Sequence, residues 1–422
     1  MQKMFGLADC NNFYVSCERV FNPSLDGIPV VVLSNNDGCV ISRSQEAKKL
    51  GISMGEPLFK IKELVRRENI RVFSSNFALY ADMSSRVMDT ISALVPSAEI
   101  YSIDEAFLNL EGITAHELSS LAKKITGKVR KDTGIPLSLG ISHTKTLAKV
   151  ASKLCKKYPR LNNNCIMVKN GDIEKVLGKF PVGDVWGIGR QYSAMLESNG
   201  VTNTLDFTKR NPTWVRAKMN ITGLKTWREL NGDPCFGVEE NIPDKQQICT
   251  SRSFAKDVYD HEEVVRAVAK FTSSCAQKLR QQNGVVGKII IFFYTNPFRE
   301  NVTKDYRSIV IPLDLPSDNT LELVKITCRS VIPYLKQGCG YKKAGVIFSS
   351  ISRKEQTPGV LFDSRDREKS DRLMKCLDSV NSRYGRETLI TATQGPEKIL
   401  YNMGHLSPKY TTNWDDIIKV VL

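Results

Sequence analysis

Over the first 165 residues, short apolar runs bounded by turn residues recur as FGLADC, IPVVVLSN, SAEIYSI followed by AFLNL, and IPLSLGIS. Runs of this length, rich in β-branched and aromatic residues, predict strands. Between them, Arg86 to Val95 and Glu117 to Thr133 place apolar residues at helix spacing, so the module reads as a sheet with helices packed on it. The segment between Cys17 and Ala81 is rich in Gly, Asn and Ser. It is too long for a loop and too short for a full domain, and predicts a small subdomain inserted in the sheet module. From about Gly171 to Asn241 the pattern is helical with glycine-containing connections. After Pro243 the runs ICTSRSFAKDV, Glu262 to Gln282, KIIIFFYT, SIVIPLD, Leu321 to Leu335 and AGVIFSSI read strand, helix, strand, strand, helix, strand, the order of a ferredoxin-like split βαβ unit. From Arg353 onward the chain is polar and charge-rich, with one helix expected from Arg367 to Arg383. That stretch reads as a tail with local structure.

Composition narrows the function classes. At 422 residues the chain is longer than a single hydrophobic core supports, so roughly three to five modules are expected. Hydrophobic residues at 41% and charged residues at 25% describe a globular chain and exclude general disorder. No apolar run approaches the roughly 18 residues of a membrane span, and the opening MQKMFGLADC enters an apolar strand without the regions of a signal peptide. An intracellular protein is expected. The eleven cysteines contain no Cys-x-x-Cys pair, and four histidines offer little for metal clusters, so the thiols read as reduced, buried filler. The net charge of +15 favours a polyanionic partner, nucleic acid first. On charge alone, a basic protein without such a partner stays open.

Two strand ends carry acid. The run from Phe5 to Ala8 delivers Asp9, and in EIYSIDEAFLNL two strand-like runs meet at Asp104 and Glu105. Carboxylates amid apolar runs are costly to bury unless paired. Three of them at one sheet edge repel one another, and hard cations remove the repulsion. A pair of magnesium ions roughly 3.5 to 4 Å apart, held by carboxylates and substrate phosphates, is the arrangement that stabilises the entering and leaving oxygens of a phosphoryl transfer. Spacing alone fits solvated turn residues equally well.

The motifs ADCNNFYVSCE, EAKKLGISMG, YADMSSRVM, YSIDEAFLNL and GISHTKTLAKVASKLCKK, in this order, resemble those of the Y-family translesion DNA polymerases, and within them the UmuC-type catalytic subunits of bacterial DNA polymerase V. The resemblance runs from about Met4 to Ile351, and LSPKYTT in the tail fits the same subgroup. It implies an α+β multidomain, right-hand polymerase: a ferredoxin-like palm (residues 1–12 and 80–170), small fingers (13–79), a helical thumb with a helix-hairpin-helix (171–240), a βαββαβ little finger (243–352) and a C-terminal partner-binding tail (353–422). It places two magnesium ions, with manganese able to substitute, on Asp9, Asp104, Glu105 and the backbone carbonyl of Cys10. The same resemblance puts the sugar-discriminating aromatic on Tyr14, beneath the incoming deoxyribose, where a ribose 2'-hydroxyl would clash.

For the triphosphate the resemblance points to the fingers helix, where RSQEAKKLG offers Gln45 and Lys48 in place of the tyrosine and arginine often found there. Lysine lacks arginine's bidentate fork, so the contact is less directional, with Arg43 close by to compensate. On the helix expected at 144–158, Leu147, Val150, Ala151 and Leu154 form an apolar stripe and Lys145, Lys149 and Lys153 another face. Lys156 falls on the family's triphosphate-binding lysine, with Lys149 the second choice; as a bare charge run the face is a solvated surface. PVGDVWGIGRQYSAMLESNGV reads as a helix-hairpin-helix in which Gly187 and Gly189 allow a tight turn and close approach to a DNA phosphate. In SRSFAKD, Arg252 and Lys256 lie near a strand that the family lays along the duplex. In QTPGVLFDS, Leu361 and Phe362 resemble a sliding-clamp peptide, with Pro358 where a glutamine is expected and Gln356 as its substitute; a plain apolar turn fits as well.

The implied activity is error-prone extension of a primer on damaged template in the SOS DNA-damage response. The implied partners are primer-template DNA, a deoxynucleoside triphosphate, a UmuD-type accessory dimer, RecA and the sliding clamp, with no membrane, in the bacterial cytoplasm at the nucleoid. Two rivals differ in class. A palm-like nucleotide cyclase has no need of a helix-hairpin-helix or a basic little finger, and a silent DNA-binding subunit has no need of three gathered acids.

Overall fold

The computed structural model describes residues 3–239, 243–356, 366–396 and 402–418. The chain divides into two compact units, Met1–Ile242 with Met403–Leu422, and Pro243–Asn402.

The first unit opens with β1 (Phe5–Cys10) and α1 (Phe13–Phe21). A small α/β segment follows: β2 (Val30–Leu33), β3 (Val40–Arg43), α2 (Gln45–Lys49), α3 (Leu58–Arg67) and β4 (Arg71–Ser74). Its strands form a sheet of their own in the order β3-β2-β4, over a separate core that includes Val31, Leu33, Ile52 and Ile61. Next come α4 (Phe77–Ser92), β5 (Ser97–Ile100), β6 (Glu105–Asn109), α5 (Ala115–Thr133), β7 (Leu137–Ser142), α6 (Lys145–Lys157) and β8 (Asn164–Ile166). The unit continues with α7 (Asn170–Leu177), α8 (Arg190–Ser198), α9 (Thr204–Thr208) and α10 (Pro212–Leu230).

The main sheet has the order β5-β6-β1-β7-β8. Its central strand β1 is buried at all six positions, which is why FGLADC lacks the alternation of a one-sided strand. Helix α4 starts at Phe77 rather than at Arg86. Its first turn is held by the Asn76 side chain, which accepts from the Leu79 N–H at 3.3 Å, an end marked by a capping residue and not by apolar periodicity.

The second unit contains β9 (Ile248–Val258), α11 (His261–Arg280), β10 (Gly284–Thr295), β11 (Tyr306–Ser317), α12 (Thr320–Val331), β12 (Tyr341–Arg353) and α13 (Arg367–Tyr384). The sheet order is β11-β10-β12-β9 and all pairings are antiparallel. Each helical crossover is split by a strand of the other, with β10 and β12 central. Pro312 sits in the edge strand β11, where a missing N–H is tolerated. The polar stretch after Arg353 is not one tail. Helix α13 is fixed in the second unit by a two-pronged Arg280–Asp378 pair, both contacts at 2.7 Å, and by buried Met374. Residues 403–418 return to the first unit. No helix among the described residues is long and apolar enough to cross a membrane.

Candidate active site

Strand pairing brings the predicted acids together. In the antiparallel register of β1 and β6, Asp9 stands directly opposite Glu105. The Cys10 N–H donates to the Asp104 carbonyl at 2.8 Å. Asp104 occupies the turn before β6, where its Oδ1 accepts from the Ser102 hydroxyl at 2.6 Å; that hydroxyl receives the Asp104 and Glu105 N–H groups at 3.2 and 3.0 Å. Ser102 thus fixes the turn that aims two acids, a role with no periodic signal in the sequence.

Helix α6 supplies the countercharges. Gly140 in β7 lets its backbone lie against the sheet: a Cβ there would stand 2.1 Å from the Ser152 nitrogen. From that close-packed helix the Lys156 ammonium reaches Asp9 Oδ2 at 2.6 Å, and Lys149 reaches both Glu105 oxygens at 3.2 and 3.0 Å. Lys149 also lies 4.8 Å from the Tyr101 ring centre and 5.5 Å from that of Trp186, contacts that hold its charge over aromatic faces.

Burial pushes the Asp9 carboxyl up from 3.8 to about 6; the Lys156 ammonium pulls against the rise, and the charges of Glu105 and Asp104 add to it. Between these two values the unfolded chain releases a proton that the folded chain retains. Folding therefore loses stability as pH rises through that window, and the loss is complete above about pH 6, at no more than about 3 kcal/mol. In metal-free protein, Asp9→Asn is expected to raise the melting temperature at about pH 7.5, with the gain shrinking toward about pH 4, as followed by calorimetry. A gain of equal size at both values would assign the effect to something other than ionisation.

The donor set fits a hard divalent cation: carboxylates from Asp9, Asp104 and Glu105 at one strand end, with the Cys10 backbone beside them. Among the described residues, no three Asp, Glu, His or Cys side chains are gathered into a ready metal cluster. Two of the carboxylates are drawn onto lysines.

Beside the acids lies an open cavity of about 290 Å³ whose walls include Tyr14, Arg43, Lys48, Asp104 and Lys156. The Lys48 ammonium donates to Asn12 Oδ1 at 2.6 Å. Asn12 holds a left-handed backbone, φ 48°, at the entry to α1, a conformation Asn tolerates better than most residues. Arg43 donates to the Ile52 carbonyl, and its buried Nε has no partner among the described residues. A second hollow of about 710 Å³ shares Lys48 and Lys156 and adds Gln45, Lys153, Lys175 and Lys179. Lys175 and Lys179 lie on α7 and just after it, between the motifs that end at Lys157 and begin at Pro181, so no motif marks them.

The remaining predicted residues fall elsewhere. Gly187 has φ +89°, and a Cβ there would stand 2.9 Å from Thr226 Oγ1; Gly189 caps α8. Arg252 and Lys256 are exposed on β9 of the second unit, near a register shift between Ser253 and Val258. Leu361 and Phe362 lie outside the described residues.

Comparison with known proteins finds relatives over nearly the whole chain. Residues 8–153 match the impB/mucB/samB family, residues 245–359 its C-terminal domain, and residues 371–420 a domain of unknown function. Protein UmuC of Salmonella typhimurium is 41% identical over 421 residues, covering 99% of this chain and 100% of that protein. Protein ImpB of the same organism is 38% identical, covering 98% and 99%. DNA polymerase IV of Corynebacterium diphtheriae is 26% identical over 372 residues, covering 87% and 79%. A solved Y-family DNA polymerase chimera of Dbh and Dpo4 shares the fold, with a TM-score of 0.66 at 19% identity over 83% of this chain and 99% of that one. With near-complete coverage at this identity, the chain belongs to the impB/mucB/samB family, as a UmuC-type member.

Proposed function

We propose that the chain extends a primer on damaged template DNA by nucleotidyl transfer, in the bacterial SOS response. The carrying observation is the register that sets Asp9 opposite Glu105 with Asp104 beside them. Two magnesium ions on Asp9, Asp104, Glu105 and the Cys10 carbonyl would supply Lewis-acid stabilisation of the attacking primer hydroxyl and of the pyrophosphate leaving group.

The chain's own residues do the rest. Lys156 and Lys149 balance the acids at rest. When substrate brings its own charge, Lys156 is free to turn to the triphosphate together with Lys48 and Arg43 across the same cavity. Gln45 lines the second hollow, which shares Lys48 and Lys156 with this cavity. Tyr14 lines the cavity next to Asp104 and excludes a 2'-hydroxyl by contact. Gly187 and Gly189 bring backbone N–H groups to a DNA phosphate, and Arg252 and Lys256 add charge on an exposed strand, holding the duplex without reading its sequence. Small fingers enclose the base pair loosely, which relaxes shape discrimination and admits damaged bases. A UmuD-type dimer, RecA and the sliding clamp are the proposed partners, the last through Leu361 and Phe362, and the bacterial cytoplasm at the nucleoid is the proposed place of action.

The test is primer extension on an undamaged and an abasic template, with these accessory proteins and with magnesium present or chelated. Magnesium-dependent extension on both templates is expected; DNA binding without any extension would leave a silent DNA-binding subunit as the better reading.

A further inference from the structure

The ring of Tyr14 is backed by a chain of buried side chains that ends in the C-terminal segment. Tyr14 and Glu18 lie one turn apart on α1, and Asn76 and Tyr80 one turn apart at the start of α4. The Tyr80 ring stacks on that of Tyr14, with centres 4.5 Å apart and planes 16° from parallel. Its hydroxyl donates to Glu18 Oε1 at 2.6 Å, and the same oxygen accepts from the Ser407 hydroxyl at 3.0 Å. Asn76 Nδ2 donates to Ser407 Oγ at 3.0 Å and to the Ser407 and Pro408 carbonyls at 3.2 and 3.1 Å. Three residues further on, Tyr410 stacks on Phe21 at the end of α1, centres 4.8 Å apart.

The links between Tyr14 and the C-terminal segment are buried. Tyr80 is 0% exposed, Glu18 1%, Asn76 2% and Ser407 6%. A buried carboxylate stays where its donors put it, because an unsatisfied oxygen there is costly. Ser407 therefore fixes Glu18, Glu18 fixes the Tyr80 hydroxyl, and the Tyr80 ring fixes the plane on which Tyr14 rests. A clash is steep in distance, so a small displacement of Tyr14 changes what it excludes.

We propose that Ser407, acting through Glu18 and Tyr80, positions the Tyr14 ring, so that the C-terminal segment sets how strictly a ribonucleotide is refused. The proposal rests on the reading of Tyr14 as the sugar gate. Ser407, Glu18 and Tyr80 are positioning residues in this scheme, acting only through Tyr14. A segment that merely straps the unit together would change both nucleotide classes alike.

The experiment measures kcat and KM for a deoxynucleoside triphosphate and its ribonucleotide counterpart on one primer-template. It uses full-length wild type, Tyr14→Ala, Ser407→Ala and Ser407→Thr, with the accessory proteins that support extension. Tyr14→Ala is expected to collapse the discrimination ratio. Ser407→Ala lowers it about tenfold through a rise in ribonucleotide kcat/KM, and Ser407→Thr, which keeps the hydroxyl, restores it. Both substrates are measured on the same preparation, so any unfolded fraction cancels from the ratio. If Tyr14→Ala changes the ratio and Ser407→Ala does not, the positioning role is wrong while the gate stands. If Tyr14→Ala leaves the ratio intact, the gate reading fails and takes the proposal with it.

Discussion

Asp104→Ala is expected to reduce primer extension by about a thousandfold or more while leaving the fold and DNA binding in place. The separation follows from how Asp104 is built into the turn. Its backbone carbonyl, which the substitution keeps, is the acceptor for the Cys10 N–H at 2.8 Å, so the junction of β1 and β6 persists. Among the described residues its side chain holds only the Ser102 hydroxyl at 2.6 Å, and Ser102 still receives the N–H groups of residues 104 and 105. Asp104 is half-buried, and the stability change should stay within about 1 kcal/mol. Glu105→Ala is a poorer probe, because it strands the Lys149 ammonium that now sits on the Glu105 carboxylate. Single-turnover extension with magnesium, beside a DNA-binding titration, reads both quantities. Unchanged extension in the variant removes Asp104 from the proposed metal set.

The elements of this chain were legible where apolar patterning carries the information. The run ICTSRSFAKDV is β9 residue for residue, and the expected helix from Arg367 ends one residue beyond Arg383. The place of Asp9 near the end of a buried strand was legible too, but spacing alone fits Asp104 and Glu105 equally well as solvated turn residues. What the pattern could not carry was pairing across distance. Lys156 meets Asp9 and Lys149 meets Glu105 only because α6 lies against β7, and nothing in the lysine spacing distinguishes that from a solvated face. The polar C-terminal stretch reads as one tail for the same reason. Its return to the first unit runs through Asn76, Ser407 and Glu18, buried polar groups that satisfy one another. Such groups leave no apolar period, because hydrogen bonds offset their burial in place of apolar area. Tyr80 lies inside YADMSSRVM, and only its stacking on Tyr14 shows what it supports.

Gly140→Ala is expected to destabilise the first unit by about 3 kcal/mol and to lower extension further than the loss of folded protein explains. Gly140 pairs with Leu7 in the β1–β7 register. An added Cβ would stand 2.1 Å from the Ser152 nitrogen, 2.4 Å from the Ala148 carbonyl oxygen and 2.7 Å from the Ala151 carbonyl carbon. All three are backbone atoms of α6, so no side-chain rotation relieves the overlap, and the helix itself must move by about an ångström or more to reach ordinary contact distance. That helix carries Lys149 and Lys156, whose ammonium groups now lie 3.0 and 2.6 Å from the Glu105 and Asp9 carboxylates, and misplacements of this size cost about a hundredfold in rate. Gly127 provides the opposite sign. It lies inside α5 with nothing within 4 Å of its added Cβ, and Gly127→Ala should stabilise by about 0.5–1 kcal/mol through helix propensity alone. Thermal melts of the two variants, with extension measured well below either transition, separate packing from propensity. A Gly140→Ala melt indistinguishable from wild type would mean that α6 does not rest on the sheet at this glycine, and the placement of both lysines would have to be abandoned with it.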